Sequence, residues 1–138
     1  MSTIALWWLI AFLGVCALLG LLAERRRVGK KLARFQDREN LALDEIYRRY
    51  YVNSGLPQNS VLNVWRDLAK NLGVAPGLLR PDDRFDCQLA PEKGFPTEDE
   101  LADVAAYVKD HAGGLDVQLG SFQTLNDAVI ACTSKIAE

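Results

Sequence analysis

The side chains that could do acid, base or nucleophilic chemistry are few and scattered. The chain has one histidine, His111, and three cysteines, Cys16, Cys87 and Cys132, with no C-x-x-C pair and no metal-ligand spacing. We expect His111, beside Asp110, to be an exposed residue near a helix C-terminus, and the cysteines to be reduced, small buried hydrophobes. No triad or zinc site can be assembled from this inventory, so an enzyme with its own active site is the least favoured class.

Asp82, Asp83 and Arg84 form a run that invites a catalytic or metal interpretation. A divalent cation needs more converging oxygens than two adjacent carboxylates can supply, and adjacent side chains diverge. We therefore interpret the run as a turn or a short-helix cap with a local ion pair. Neither a metal nor another cofactor is predicted.

Charge is strongly segregated along the 138 residues, although the formal net charge is only -2. Residues 4–23 carry no charge, residues 24–38 carry seven basic and two acidic side chains, and the rest carries nine basic and sixteen acidic ones. An acidic domain is repelled by phosphates, so nucleic acid is a poor candidate partner. The basic segment favours anionic lipid headgroups. The cations predicted to contact lipid are Arg25, Arg26, Arg27, Lys30, Lys31 and Arg34.

The apolar run predicts a transmembrane anchor, assigned to residues 1–23. Twenty residues at about 1.5 Å each span roughly 30 Å, the thickness of a hydrocarbon core. Trp7 and Trp8 lie near the outer end, where indole rings favour the interface. A cleaved signal peptide is the rival interpretation, but it needs basic residues before the apolar run, and here they all follow it. The positive-inside rule predicts a single-pass protein of the cell membrane (the inner membrane in a bacterium), with a three-residue tail outside and the domain in the cytoplasm.

Residues 24–53 predict a basic juxtamembrane helix, because no proline interrupts them and apolar residues recur at nearly helical spacing. A lipid sensor or a helix-pairing element is one interpretation. A solvated stalk whose charges set the topology is the simpler one, and we favour it. Tyr47, Tyr50 and Tyr51 are expected to pack against the domain that follows.

Residues 54–138 predict a small all-α domain that begins with an amphipathic helix over residues 58–72. Asn59 or Ser60 is the expected N-cap, and Gly73 is the expected C-terminal glycine. One face of this helix should be buried. Its members are Val61, Trp65, Leu68 and Leu72.

Two further helices are predicted after a proline-rich loop over residues 74–96. Thr97 and Glu100 fit a capping box that starts the second helix, which should run to the glycine pair at 113–114. A last helix should start near Thr124. The predicted buried faces are Leu101, Val104, Tyr107 and Val108 in the second helix, and Leu125, Ala128, Val129 and Cys132 in the last.

This order of helices over residues 58–137 resembles the acyl carrier protein family. The first helix ends in Leu-Gly-Val at residues 72–74, and the last opens with Thr-Leu-Asn-Asp-Ala-Val at residues 124–129. The resemblance implies a small bundle whose second helix starts with Asp-Ser-Leu, the serine carrying the phosphopantetheine arm. This chain has Asp99, Glu100 and Leu101 there. A carboxylate cannot form the phosphodiester, so we expect the carrier function to be lost.

What the resemblance leaves is an acidic second helix that docks onto basic patches of partner proteins. The predicted partner-binding residues are Glu98, Asp99, Glu100 and Asp103. The leading hypothesis is a non-catalytic, membrane-tethered interaction module. Two alternatives stay open: a group carrier modified at Thr97 or another hydroxyl, and a small structural subunit whose apolar helix makes the specific contacts within a membrane complex.

Overall fold

The part of the chain that is described is mostly helical, with irregular segments between the helices. The computed structural model describes residues 3–90, 98–113 and 122–134, without the side chains of residues 27, 28 and 98–100. These residues contain no strand, which confirms the predicted all-α class for them. They form α1 (Thr3–Ala33), α2 (Leu43–Tyr50), α3 (Gln58–Leu72), a 3-10 turn (Pro76–Leu78), α4 (Glu98–His111) and α5 (Leu125–Thr133).

The chain divides into two compact units, Met1–Gln36 and Asp37–Glu138. The first unit contains α1, whose 31 residues make it roughly 46 Å long. From Ile4 to Leu22 its large apolar side chains are 45% to 74% exposed. As predicted, the chain has a helix that is long and apolar enough to cross a membrane.

The second unit begins earlier than the sequence predicts, and residues 24–53 do not form one juxtamembrane helix. Helix α1 continues through the basic residues and ends at Ala33, whereas residues 43–50 form the separate helix α2. Between these helices, residues 37–42, here called the strap, have no regular secondary structure. The helix breaks there because the strap donates and accepts hydrogen bonds across the loop that follows α3, and these contacts replace helical ones.

Helix α3 is the centre of the second unit and packs against α2, α4 and α5. Its bounds, residues 58–72, agree with the prediction. Spacings of three and four residues put its large apolar side chains on one face. As predicted, the residues of that face are fully buried: Val61, Trp65, Leu68 and Leu72.

The two ends of α3 differ in how well the sequence predicted them. Gly73 adopts a left-handed backbone with φ 65°, and its N–H bonds to the Lys70 carbonyl while the Val74 N–H bonds to the Ala69 carbonyl. This pairing satisfies the last carbonyls of the helix, as expected for a C-terminal glycine. The predicted N-caps are wrong, because Pro57 occupies the N-cap position and no side chain caps the helix.

Helix α5 follows the prediction closely. Thr124 is its N-cap, and the Thr124 and Asp127 side chains form a reciprocal capping box. The four residues predicted to face inward, Leu125, Ala128, Val129 and Cys132, are all buried.

Helix α4 begins at Glu98. Val104 and Val108 are buried as expected, whereas Leu101 and Tyr107 are only half-buried. The predicted capping box of Thr97 and Glu100 lies outside the described residues.

The tyrosines of the predicted stalk belong to the second unit. Tyr51 is buried and contacts Trp65 edge-on, with ring centroids 6.0 Å apart. The Tyr47 hydroxyl donates to the Leu56 carbonyl, but Tyr50 is exposed. Two of the three tyrosines therefore pack as predicted.

Gly77 is the point at which the strap crosses closest to the loop. The Leu41 N–H donates to the Gly77 carbonyl at 3.0 Å, and Leu41 is buried. A Cβ at Gly77 would collide with the Asn40 Oδ1 and with the Leu41 carbonyl oxygen. The crossing therefore requires glycine at this position.

Gly77→Ala is expected to lower the free energy of unfolding by about 1–3 kcal/mol, because backbone atoms of the strap must move to admit the methyl group. Urea unfolding of the full chain in mild detergent, followed by circular dichroism, measures the change. Gly29→Ala is the control, since nothing lies within 4 Å of a Cβ there. Equal stability of the Gly77→Ala protein and the wild type would show that the crossing is loose.

Candidate functional site

A buried ion pair joins the strap to the loop after α3. The Arg38 guanidinium donates from Nη2 to Asp83 Oδ1 at 2.7 Å and from Nη1 to Oδ2 at 2.8 Å. Asp83 is only 2% exposed, and its Oδ2 also accepts from the Arg80 backbone N–H at 2.8 Å. The hydrogen bond to Asp83 raises the pKa of Arg38, an effect that burial partly opposes. A carboxylate so deeply buried needs partners of this kind.

Arg80 secures the strap through backbone carbonyls instead of a carboxylate. Its Nη1 donates to the carbonyls of Gly77 and Leu79, both at 2.8 Å, and its Nη2 donates to the Glu39 carbonyl at 2.7 Å. Arg38 adds a bond to the Leu78 carbonyl at 3.1 Å. The polar groups of this cluster bond one another, so we assign it a structural role.

The predicted local ion pair in residues 82–84 is wrong for Asp83. Its ion-pair partner, Arg38, lies 45 residues away along the chain. The local pair in this region is Arg84 with Asp86, at 2.7 Å between Nη2 and Oδ2, and both are exposed. Asp82 is also exposed. The two adjacent carboxylates therefore lie in different environments, Asp83 buried and Asp82 exposed.

The Asp83 backbone contacts α5. Its carbonyl accepts the Leu125 N–H at 2.9 Å, and the Pro81 carbonyl accepts the Asn126 N–H at 3.0 Å. The Phe85 N–H in turn donates to the Gln123 carbonyl at 3.1 Å. Residues 81–85 therefore receive the N-terminus of α5, a pairing that no local pattern of residues predicts.

Five of the six predicted lipid-contacting cations lie along the C-terminal part of α1, and Arg34 directly follows it. Arg25, Arg26, Lys30 and Arg34 are exposed, and Lys31 is half-buried. The Arg27 side chain lies outside the description. At about 100° per residue, the positions of these cations cover most of the helix circumference. The basic residues therefore form a collar, the name used below for the six predicted cations, and not a one-sided stripe.

The predicted partner-binding residues all fall in the first two turns of α4. Asp103 is exposed. Glu98, Asp99 and Glu100 lie in the first turn by backbone, and their side chains lie outside the described residues. Negative charge in this turn suits the positive end of the helix dipole, so stabilisation of the helix explains part of the acidic character.

His111 is exposed at the end of α4, as predicted. Its ring stacks on Tyr107 with centroids 4.0 Å apart, and its Nδ1 lies 2.8 Å from the Tyr107 carbonyl oxygen. The Tyr107 hydroxyl donates to Asp67 of α3 at 3.0 Å. Burial, and then the bond to Asp67, raise the pKa of Tyr107. Since the carboxylate accepts from tyrosine and not from imidazole, the cluster ties α4 to α3 and is not a catalytic triad.

The cysteines divide by environment. Cys132 is buried, and burial raises the pKa of its thiol to about 11. Cys16 and Cys87 are exposed, so the expectation of three buried hydrophobes is wrong for these two. Within residues 3–90, 98–113 and 122–134, no group of three or more His, Cys, Asp or Glu side chains could hold a metal ion.

A shallow concavity of about 400 Å³ lies between α2 and the start of α3. It is lined by Asp44, Tyr47, Arg48, Val52 and Gln58. Arg48 pairs with Glu45, and the Tyr47 hydroxyl is already bonded to a carbonyl. Two of the polar side chains that line the concavity are therefore already bonded to other groups.

No protein-family model, no curated protein and no solved structure matches this chain. The acyl-carrier interpretation accordingly stays a hypothesis drawn from the Leu-Gly-Val and Thr-x-x-x-Ala motifs and from the order of α3, α4 and α5. Two features of the chain bear on its function: the exposed apolar helix α1 and the acidic start of α4.

Arg38→Gln is expected to lower the free energy of unfolding by about 3 kcal/mol, because it leaves a buried carboxylate without its charged partner. Arg84→Gln is the matched control and should cost much less stability, because that ion pair is exposed. Chemical denaturation of both variants in the same detergent measures the difference. Equal effects of the two substitutions would contradict the assigned role of Asp83.

Cys132 should resist alkylation in the native protein, because its thiol is buried and weakly acidic. With iodoacetamide at pH 8, we expect Cys87 to react within minutes and Cys132 only after addition of denaturant. Peptide mass spectrometry distinguishes the two sites. Equal rates at both cysteines before denaturation would show that α5 is not docked.

Proposed function

We propose that this chain is a single-pass membrane protein that presents a small, non-catalytic helical domain to a protein partner. The observation that carries the proposal is the exposure of α1. Its apolar side chains, from Ile4 to Leu22, are not covered by any other part of the described chain. In water such a surface is unfavourable by roughly 25 cal/mol for each Å² of apolar area.

The distribution of side chains around α1 favours spanning over lying on the membrane surface. A helix that lies in the interface has one apolar and one charged face. Residues 4–23 are apolar on all sides, and the collar that follows covers most of the circumference. This order along the axis, apolar and then charged, fits a helix that crosses the hydrocarbon core and emerges among headgroups.

The collar also supports an orientation for the chain. Cations next to a membrane segment favour the cytoplasmic side, and anionic lipids of that leaflet attract them. The second unit would then lie in the cytoplasm, where its thiols are expected to be reduced.

The acidic start of α4 is the surface we propose for the partner. Helices α3, α4 and α5 all pack on one another, and such a small bundle is compatible with the acyl-carrier resemblance. In carriers the acidic second helix binds basic patches, and Glu98, Asp99, Glu100 and Asp103 offer the same chemistry. Electrostatic complementarity of this kind sets specificity and the rate of association.

Arginine in the middle of α1 tests the anchor. Leu13→Arg combined with Leu18→Arg should abolish resistance to carbonate extraction, since each charge at the helix centre costs about 3 kcal/mol. The matched control is Val52→Arg with Ile130→Arg, which changes two exposed residues of the second unit. Release of the wild-type chain by carbonate would argue against a spanning helix, and an intact mass lacking residues 1–23 would favour the signal-peptide interpretation.

Charge reversal on α4 tests the partner surface. Lysine at Glu98, Asp99 and Asp103 should remove partners captured in mild detergent, because a basic patch would then be repelled. Lysine at Asp44, Asp82 and Asp110, which are exposed outside the first two turns of α4, is the matched control. If the α4 variant retained every partner that the control retains, this surface would not be the binding site.

A further inference from the structure

We infer that Asp83 acts as a relay that makes the docking of α5 depend on the strap. Its carboxylate is bonded to Arg38 of the strap at 2.7 and 2.8 Å, and its backbone carbonyl accepts the Leu125 N–H at 2.9 Å. One residue therefore joins the strap, which begins four residues after the last residue of α1, to the first turn of α5. Displacement of the strap frees α5.

The carboxylate cannot stay where it is once Arg38 leaves. Asp83 is 2% exposed, and its only other hydrogen-bond donor in the described structure is the Arg80 N–H. A buried charge that loses its countercharge moves towards water. Rotation of the Asp83 backbone towards solvent carries its carbonyl away from the Leu125 N–H.

Besides its apolar packing, the start of α5 is held mainly by backbone bonds to the same loop. The neighbouring bonds, Asn126 N–H to the Pro81 carbonyl and Phe85 N–H to the Gln123 carbonyl, lie in the same five-residue segment of the loop. The Tyr51 hydroxyl adds a bond to Asn126 Oδ1 at 3.0 Å. A helix of nine residues is marginal without such tertiary support, so α5 is suited to open locally while α3 stays folded.

The strap is also well placed to receive an input. It is the first part of the second unit after α1. The Arg80 side chain donates to the Glu39 carbonyl and the Leu41 N–H donates to the Gly77 carbonyl, and these two bonds fix the strap to the loop. Under the proposed function, a change at the membrane helix or its collar reaches the strap before any other element. The output is the apolar face of α5, which is buried when the helix is docked.

Labelling of Cys132 on α5 tests the relay in the full chain in detergent, with Cys16→Ser and Cys87→Ser so that one thiol remains. Arg38→Gln and Asp83→Asn should each speed maleimide labelling of Cys132 by about tenfold or more, since each breaks the charged pair. Their double variant should add little, because both act on one link. Arg38→Lys, which keeps the charge but not the two-pronged geometry, should fall between Arg38→Gln and the wild type.

Two controls separate the relay from general destabilisation. Arg84→Gln breaks the exposed pair beside the relay and should leave the labelling rate unchanged. Amide hydrogen exchange of α3 should stay slow in Arg38→Lys, the mildest of these variants. Cys132 labelling that changes in none of the Asp83 and Arg38 variants, or α3 exchange in Arg38→Lys that rises as much as its Cys132 labelling, would overturn the relay. The experiment does not use the bilayer, so a failed anchor test would leave this result standing.

Discussion

The second unit depends on one electrostatic constraint, the need to neutralise the buried carboxylate of Asp83. A charge at 2% exposure is tolerated only when charged and polar donors surround it. Arg38 and the Arg80 N–H meet this need. Their bonds to Asp83 also hold the irregular strap against the loop that follows α3. Hydrophobic burial on α3 supplies much of the driving force for folding, but it is not directional. The ion pair determines where these irregular segments lie.

The difference between hydrophobic burial and a directional long-range ion pair explains which parts of the fold could be predicted. The bounds of α3 and the buried face of α5 follow from apolar residues three and four positions apart, which is information local to each helix. The break after Ala33 could not be predicted in this way, because the periodicity continues through it. It arises from bonds between residues 38–41 and residues 77–83, and no local spacing encodes a partner about forty residues away. Exposed Cys87 was mispredicted for the same reason, since its burial depends on where the loop lies.

The candidate surfaces were predicted from charge alone, and the structure adds geometry to only part of them. Exposure of Arg25, Arg26, Lys30, Arg34 and Asp103 agrees with a role in contact, but exposure is also what any solvated charge shows. The distribution of the collar around α1 is more informative, because an interfacial helix and a spanning helix differ in that distribution. The relay residues had no signal in the sequence, since Arg38 there is one more cation in a basic segment.

The charge segregation has a mechanical consequence once the strap is considered. An acidic domain is repelled by an anionic lipid surface within a Debye length of about 10 Å, while the collar is attracted to it. Only residues 34–36 separate α1 from the strap, and three residues span at most about 11 Å. Under the proposed function, opposing forces on the collar and on the acidic domain would pass through the strap, whose Arg38 is bonded to the residue that receives α5.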